Sequence, residues 1–136
     1  MKKYQLTVNE EQLHMLRKAT ECFSRVSTTQ LMYAIEECWM EKILTLSSED
    51  REDFDRHCKS LSRILSEGAH DGWGGSYGIA SQEINKLAMP SFNAHQVIRH
   101  QEWKDRPKDQ RNYGTVDSSV CITNGEDPIK IEVVEE

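Results

Sequence analysis

Residues 3–8 alternate, with Tyr4, Leu6 and Val8 on one side and Gln5 and Thr7 on the other. A period of two predicts a short, half-buried strand. Asn9 comes next, and Gln12 sits three residues on, the spacing of a capping box at a helix N-terminus. The period then changes. Leu13, Leu16, Ala19 or Thr20, Phe23 and Val26 recur every three to four residues and predict a first helix to about Arg25. Ser27-Thr28-Thr29 breaks the run and offers caps for a second helix. The buried side of that helix would carry Leu31, Ala34, Ile35, Cys38, Trp39 and Ile43. Ser47 or Ser48 starts a third, with Glu49 and Asp50 against its positive end. Phe54, Cys58, Leu61 and Leu65 give it an apolar stripe, and its polar side holds Arg56, Lys59 and Arg63.

Beyond it the pattern breaks. Residues 67–76 hold four glycines, with Trp73 among them, and read as a loop, hairpin or lid. They fit neither the phosphate-loop nor the dinucleotide fingerprint. Residues 77–79 suit a short strand, and Pro90-Ser91 opens a fourth helix that ends near Asp105, ahead of Pro107. Residues 113–117 and 129–134 are further strand candidates, with Asn124-Gly125 as a turn between 120–122 and the last of them. Glu135-Glu136 would fray. The expected fold is therefore α+β, a single domain over 1–136. About four helices would accompany a small antiparallel sheet formed by the N- and C-terminal strands.

The fourth helix has two kinds of side. At about 100° per residue, Phe92, Gln96, Arg99 and Trp103 share one stripe, while Ala94, Val97 and Ile98 lie opposite, where a core would take them. Two aromatics and a guanidinium suit a flat, negatively charged ligand, since rings stack and arginine binds phosphate or carboxylate. The same residues also suit packing against a neighbouring helix or subunit, with Arg99 in a structural ion pair. Arg25, at the end of the first helix, and Arg63, on the third, are further candidate anion ligands; the alternative for each is an exposed surface charge. Arg106, Lys108 and Arg111 form a basic cluster around Pro107, a mobile loop over a ligand or a soluble turn.

Composition narrows these readings. The chain has 136 residues, a hydrophobic share of 37% and a charged share of 29%, so one copy buries a modest core and association would add to it. A formal net charge of −6 disfavours duplex nucleic acid as a partner, whereas a local basic pocket for a small anion stays open. No run approaches the roughly 20 apolar residues of a membrane span, and the N-terminus lacks an apolar signal core, so the expected location is the cytoplasm. Cys22, Cys38, Cys58 and Cys121 form no C-x-x-C pair and read as buried hydrophobes or free thiols. His14, His57, His70, His95 and His100 form no metal-binding spacing; no metal and no cofactor are expected. No nucleophile elbow and no acid–base pair stands out, so the chain is expected not to be an enzyme. An acidic protein that inhibits a host protein by surface contact, or a small hydrolase using His95 or His100, are the alternatives.

A set of residues spread along the chain carries a resemblance. Phe23-Ser24-Arg25, Gln30, Glu36-Glu37, Ser76-Tyr-Gly-Ile79, Gln96-Val-Ile-Arg-His100 with Trp103 and Arg106, and Glu126-Asp-Pro-Ile-Lys-Ile-Glu132 resemble phage-encoded anti-Thoeris signal-sequestering proteins, the sponges of the first type. The Gln-Val-Ile-Arg-His run is the most specific part. The resemblance implies a non-catalytic phage protein in the host cell cytoplasm. Such a protein binds cyclic ADP-ribose-type signals, and in some cases cyclic oligonucleotide signals of CBASS defence, without degrading them. It implies homo-oligomers, hexamers built from dimers, with ligands between protomers. It places Phe92 and Asn93 at the family's aromatic and polar pair, Arg25 at the arginine ending the first helix, and Arg63 more loosely. The chain departs from the pattern at Asn93, where relatives often carry Asp, at Ser27-Thr28-Thr29 in place of a glycine-containing turn, and in the enlarged loop at 68–75.

Overall fold

The computed structural model describes residues 4–66, 77–79, 81, 84–121 and 129–134. Among them four helices carry the fold: α1 (Glu10–Ser27), α2 (Leu31–Leu44), α3 (Ser48–Leu65) and α4 (Ala88–Asp105), followed by 3₁₀ turns at Lys108–Gln110 and Val116–Ser118. The longest contact joins α1 to α4; α2 packs on α1, α3 on α2, and the second 3₁₀ turn on α4. The glycine-rich loop, the Asn124-Gly125 turn and the chain end at Glu135-Glu136 lie outside the described residues.

Local chemistry sets the helix starts. Asn9 closes α1 with the expected capping box: its side chain accepts from the Gln12 N–H at 2.8 Å, and Gln12 Oε1 accepts from the Asn9 N–H at 3.0 Å. Ser47 caps α3 by accepting from the Asp50 N–H at 3.1 Å. The start of α2 differs from expectation. Its N-cap is Gln30, with no side-chain bond, and Ser27 still belongs to α1. Thr29 turns the chain with φ 61°, a left-handed conformation that a β-branched residue rarely adopts. Its surroundings hold it there: Ser62 Oγ on α3 donates to the Thr29 carbonyl at 2.6 Å, and the Tyr77 N–H donates to the Thr28 carbonyl at 2.9 Å. The Tyr77 hydroxyl donates in turn to the Ser66 carbonyl at 3.2 Å, so residues 77–79 staple the α1–α2 turn to the end of α3 and are a turn, not a strand.

The expected α+β fold with a terminal sheet does not form: the described residues contain no strand. Residues 4–9 and 129–134 have no regular structure, and Tyr4 and Leu6 are 89% and 73% exposed. Alternation specifies an extended backbone, but a strand also needs a ladder partner. The 129–132 stretch lies instead along the outer side of α4, where it lines a groove with Val97, His100, Gln101 and Lys104. Residues 113–117 form a turn leading into the second 3₁₀ turn rather than a strand. Helix α4 starts at Ala88, so Pro90 sits inside its first turn, where its missing N–H leaves no bond unmade.

The core also departs from the apolar stripes. Buried hydrophobic residues are Ala34, Ile43, Cys58, Tyr77, Ala88, Ile98 and Trp103, whereas Ser24, Thr28, Ser62, Ser66, Asn93, His95, Gln96 and Gln101 are buried polar ones. Much of the expected core side of α2 and α3 faces outward. Trp39 is 63% exposed at a kink (φ −130°, ψ 22°) that breaks the helical phase, and Leu61 and Leu65 are exposed as well. No further described element packs over α3, which touches α2 alone among the helices.

Candidate functional site

Helices α1 and α4 run antiparallel, and polar side chains fill the seam between them. Ser91, His95, Ile98 and Glu102 recur at helical spacing on the side of α4 toward α1. Ser91 Oγ donates to the Thr20 carbonyl at 2.9 Å. His95 Nδ1 lies 3.8 Å from Glu21 Oε2, and Glu102 is 3.1 Å from Arg17 Nε and 3.0 Å from His14 Nδ1. Glu21 is held further by Arg25, whose Nη2 and Nε donate to it at 2.7 and 3.0 Å. Burial pushes the Glu21 carboxyl up, but the bonds from Arg25 and the neighbouring positive groups outweigh it and hold the carboxyl below its ordinary range. Burial pulls His95 the other way: desolvation outweighs the attraction of Glu21, Arg99 adds repulsion, and the imidazole titrates below its ordinary value. The seam is therefore set as a neutral histidine beside an ionised glutamate at neutral pH.

The stripe of Phe92, Gln96, Arg99 and Trp103 sits next to this seam. Its C-terminal half is covered by the chain's own return segment. Arg99 Nη2 donates to the Val116 carbonyl at 2.6 Å and to Gln96 Oε1. Its Nε approaches Asp117 Oδ1 at 3.4 Å without hydrogen-bond geometry, which leaves that buried N–H unpartnered. Arg106 Nη1 reaches the other oxygen of the same carboxylate at 3.7 Å. Trp103 is 8% exposed; its indole N–H donates to the Asn112 carbonyl at 3.0 Å. Its ring stacks on His100 at 5.5 Å, meets the edge of Tyr113 at 5.2 Å and lies beneath the Arg111 guanidinium at 5.6 Å. His100 Nδ1 is 2.9 Å from the Asp117 carbonyl. Two arginines thus converge on one carboxylate beside an aromatic stack, and an anion already stands between them.

The other sequence candidates fall elsewhere. Phe92 is half-buried and Asn93 buried near the start of α4. From Phe92 to Trp103 the helix advances about 16 Å at 1.5 Å per residue, so the two aromatics cannot grip one ring between them. Arg25 lies at the α4 N-terminal end of the seam; it donates to Gln30 Oε1 at 3.0 Å and stands 5.4 Å from the centre of the Tyr33 ring. Arg63 is exposed on α3, away from α4. The structure therefore gathers Gln96, Arg99, Trp103 and Arg106 into one cluster and leaves Arg25, Phe92 and Asn93 toward the opposite end of α4. Sequence reasoning missed Asp117 and Tyr113, the partners that organise the cluster. Their only signal was a lone acid and a lone aromatic downstream of the basic run at 106–111.

Among the described residues, no three or more His, Cys, Asp or Glu side chains are grouped to hold a metal ion, and no helix is long and apolar enough to cross a membrane. Compared with protein-family models, with curated proteins and with solved structures, the chain matches none of them.

Proposed function

We propose that this protein sequesters a small, multiply anionic signal of the cyclic ADP-ribose or cyclic oligonucleotide class and holds it without turning it over. The observation that carries this reading is the convergence of Arg99 and Arg106 on Asp117 beside the Trp103 stack. Guanidiniums at this spacing bind phosphoryl oxygens, and the packed Trp103 ring, stacked on His100 and covered by Arg111, forms the rigid floor beside them. The resemblance to phage anti-Thoeris sponges points to the same ligand class and to a setting in the host cell cytoplasm. On this reading the protomers associate into a homo-oligomer, the hexamer of the resemblance. The exposed apolar side chains Tyr33, Trp39, Met40, Leu44 and Ile64 support that association. Arg25, Phe92, Asn93 and Arg63 then act at a second contact, from the same or a neighbouring protomer.

Isothermal calorimetry against cyclic ADP-ribose isomers and cyclic di- and trinucleotides tests the proposal. Binding to at least one member, weakened by Arg99→Gln and by Arg106→Gln, is the expected result. No heat from any member overturns it. Ligand released by denaturing the complex should be unmodified; breakdown products would make the protein an enzyme.

A further inference from the structure

Two of the four cysteines face each other, away from the arginine cluster. Cys22 on α1 and Cys38 on α2 both line an open, largely apolar groove of about 480 Å³ together with Met15, Ala19, Phe23 and Val26. Cys22 Sγ lies 4.0 Å from the Ala34 carbonyl, one helical turn before Cys38, which sets the two side chains at the same level across the helix pair. The two thiols stand near enough for Cys38 to raise the Cys22 thiol above its ordinary range. Cys38 is exposed and Cys22 half-buried, whereas Cys58 is buried and Cys121 is exposed. Sequence spacing gave no hint of this pair: sixteen positions separate the residues, and only the turn at Thr28–Gln30 brings them together.

We propose that Cys22 and Cys38 are a dithiol modification site that reacts with low-molecular-weight disulfides such as oxidised glutathione and closes to an α1–α2 cross-link. The Cys38 thiolate, reached from the open side of the groove, attacks one sulfur of the small disulfide. A Cys38–glutathione mixed disulfide forms, one glutathione thiolate leaves, and it takes up the proton that Cys38 released. The Cys22 thiol then loses its proton and its sulfur attacks Cys38 Sγ. The intramolecular disulfide forms and the second glutathione leaves as a thiol. The protein loses two electrons and two protons, and oxidised glutathione becomes two reduced molecules. The order follows from the surroundings: burial, Cys38 and the carboxylates Glu21 and Glu37 hold the Cys22 thiol above its ordinary range, which suits it to the second, intramolecular step. The cross-link spans the Thr28–Gln30 turn and ties together the helices that carry Arg25 and Gln30.

The test uses the full chain in glutathione buffers of graded ratio, read by intact mass, thiol titration and peptide mapping after acid quench. The expected product is a monomer two hydrogens lighter, with two of the four thiols lost and a peptide joining Cys22 to Cys38. Cys22→Ser should instead accumulate glutathione on Cys38, and Cys38→Ser should leave Cys22 reduced, its loss slowed by at least about tenfold. A wild-type protein that retains both thiols in the oxidising buffers overturns the proposal. So does a map in which Cys38 links to Cys121 or to a second copy while Cys22 stays reduced. Because the wild-type map decides the matter, a variant that fails to fold does not blur the outcome.

Discussion

Under the proposed function, Asp117 occupies the position that the anionic ligand would take, so its removal should have opposite consequences for stability and for binding. Its carboxylate lies 3.4 Å from Arg99 Nε and 3.7 Å from Arg106 Nη1. At an effective dielectric of about 20 each pair has a gross attraction of about 4–5 kcal/mol, but desolvation and ordering offset most of that. The Asp117 and Arg106 side chains are 28% and 38% exposed, which places the pairs near the surface regime of about 0.5–1 kcal/mol each. Asp117→Asn keeps the shape and the backbone contact to His100 and removes the charge. It should lower stability by about 1–2 kcal/mol, a drop of roughly 3–6 °C in Tm per kcal/mol for a chain of this size. A ligand that must displace the carboxylate no longer bears that cost in the variant. Its Kd should therefore fall by about 5- to 30-fold. Paired calorimetry and thermal melts of the wild type and Asp117→Asn measure both effects. A variant that melts earlier and also binds more weakly would refute the reasoning, because Asp117 would then position the arginines or touch the ligand itself.

Three further outcomes follow from the packing and the buried seam. Ile98→Ala removes a side chain that is 3% exposed and should cost about 2–5 kcal/mol in urea unfolding. Asn9→Ala breaks the capping box of α1 and should cost about 1 kcal/mol in the same assay, whereas Asn9→Gly should recover most of it. His95 and Glu21 both titrate below their ordinary values in the folded protein, so the unfolded chain binds more protons at each as the pH falls. Stability should decline as pH drops below about 6.5, the histidine step, and decline again below about 4.5, the carboxylate step. His95→Gln should flatten the upper step and leave the lower one, measured as the slope of unfolding free energy against pH.

The helices were legible from the sequence where local chemistry alone decides. The Asn9–Gln12 box and the Ser47 cap require nothing beyond their own turns, and both stand as expected. The strands were not legible, because residues 3–8 and 129–134 carry the alternation of a strand but pairing depends on a distant partner. The second-helix core failed for a related reason: Ile35, Cys38 and Trp39 have the period of a buried face, and the period cannot show that no described element covers it. At the candidate site the sequence offered Arg99 and Trp103 on one stripe, together with the alternative of a structural ion pair. The structure realises both features in the same atoms, since Arg99 pairs with Asp117 while standing beside the aromatic stack. Asp117 could not be assigned in advance, because its role arises only when the segment after Pro107 folds back along α4.

The distribution of polarity along the bundle links this site to the rest of the molecule. A protomer that buries His95, Asn93, Gln96 and Gln101 while exposing Trp39, Leu44 and Ile64 inverts the usual preference of each side chain. The buried polar groups have a physical cost unless partners compensate them, and Arg25 and Glu102 supply part of that compensation from within the chain. Arg17 Nε, His95 Nδ1 and Arg99 Nε are nevertheless buried without hydrogen-bond geometry to the carboxylates they face. Arg17 and His95 lie in the α1–α4 seam and Arg99 beside it, so polar groups are concentrated along that side of the bundle. The outward apolar side chains have the complementary need, which a second copy of the chain can meet. Ligand capture and assembly would then draw on opposite sides of one bundle. Changes at the α2–α3 surface, such as Ile64→Glu, should therefore alter the oligomeric state while leaving the Arg99–Asp117–Arg106 geometry intact.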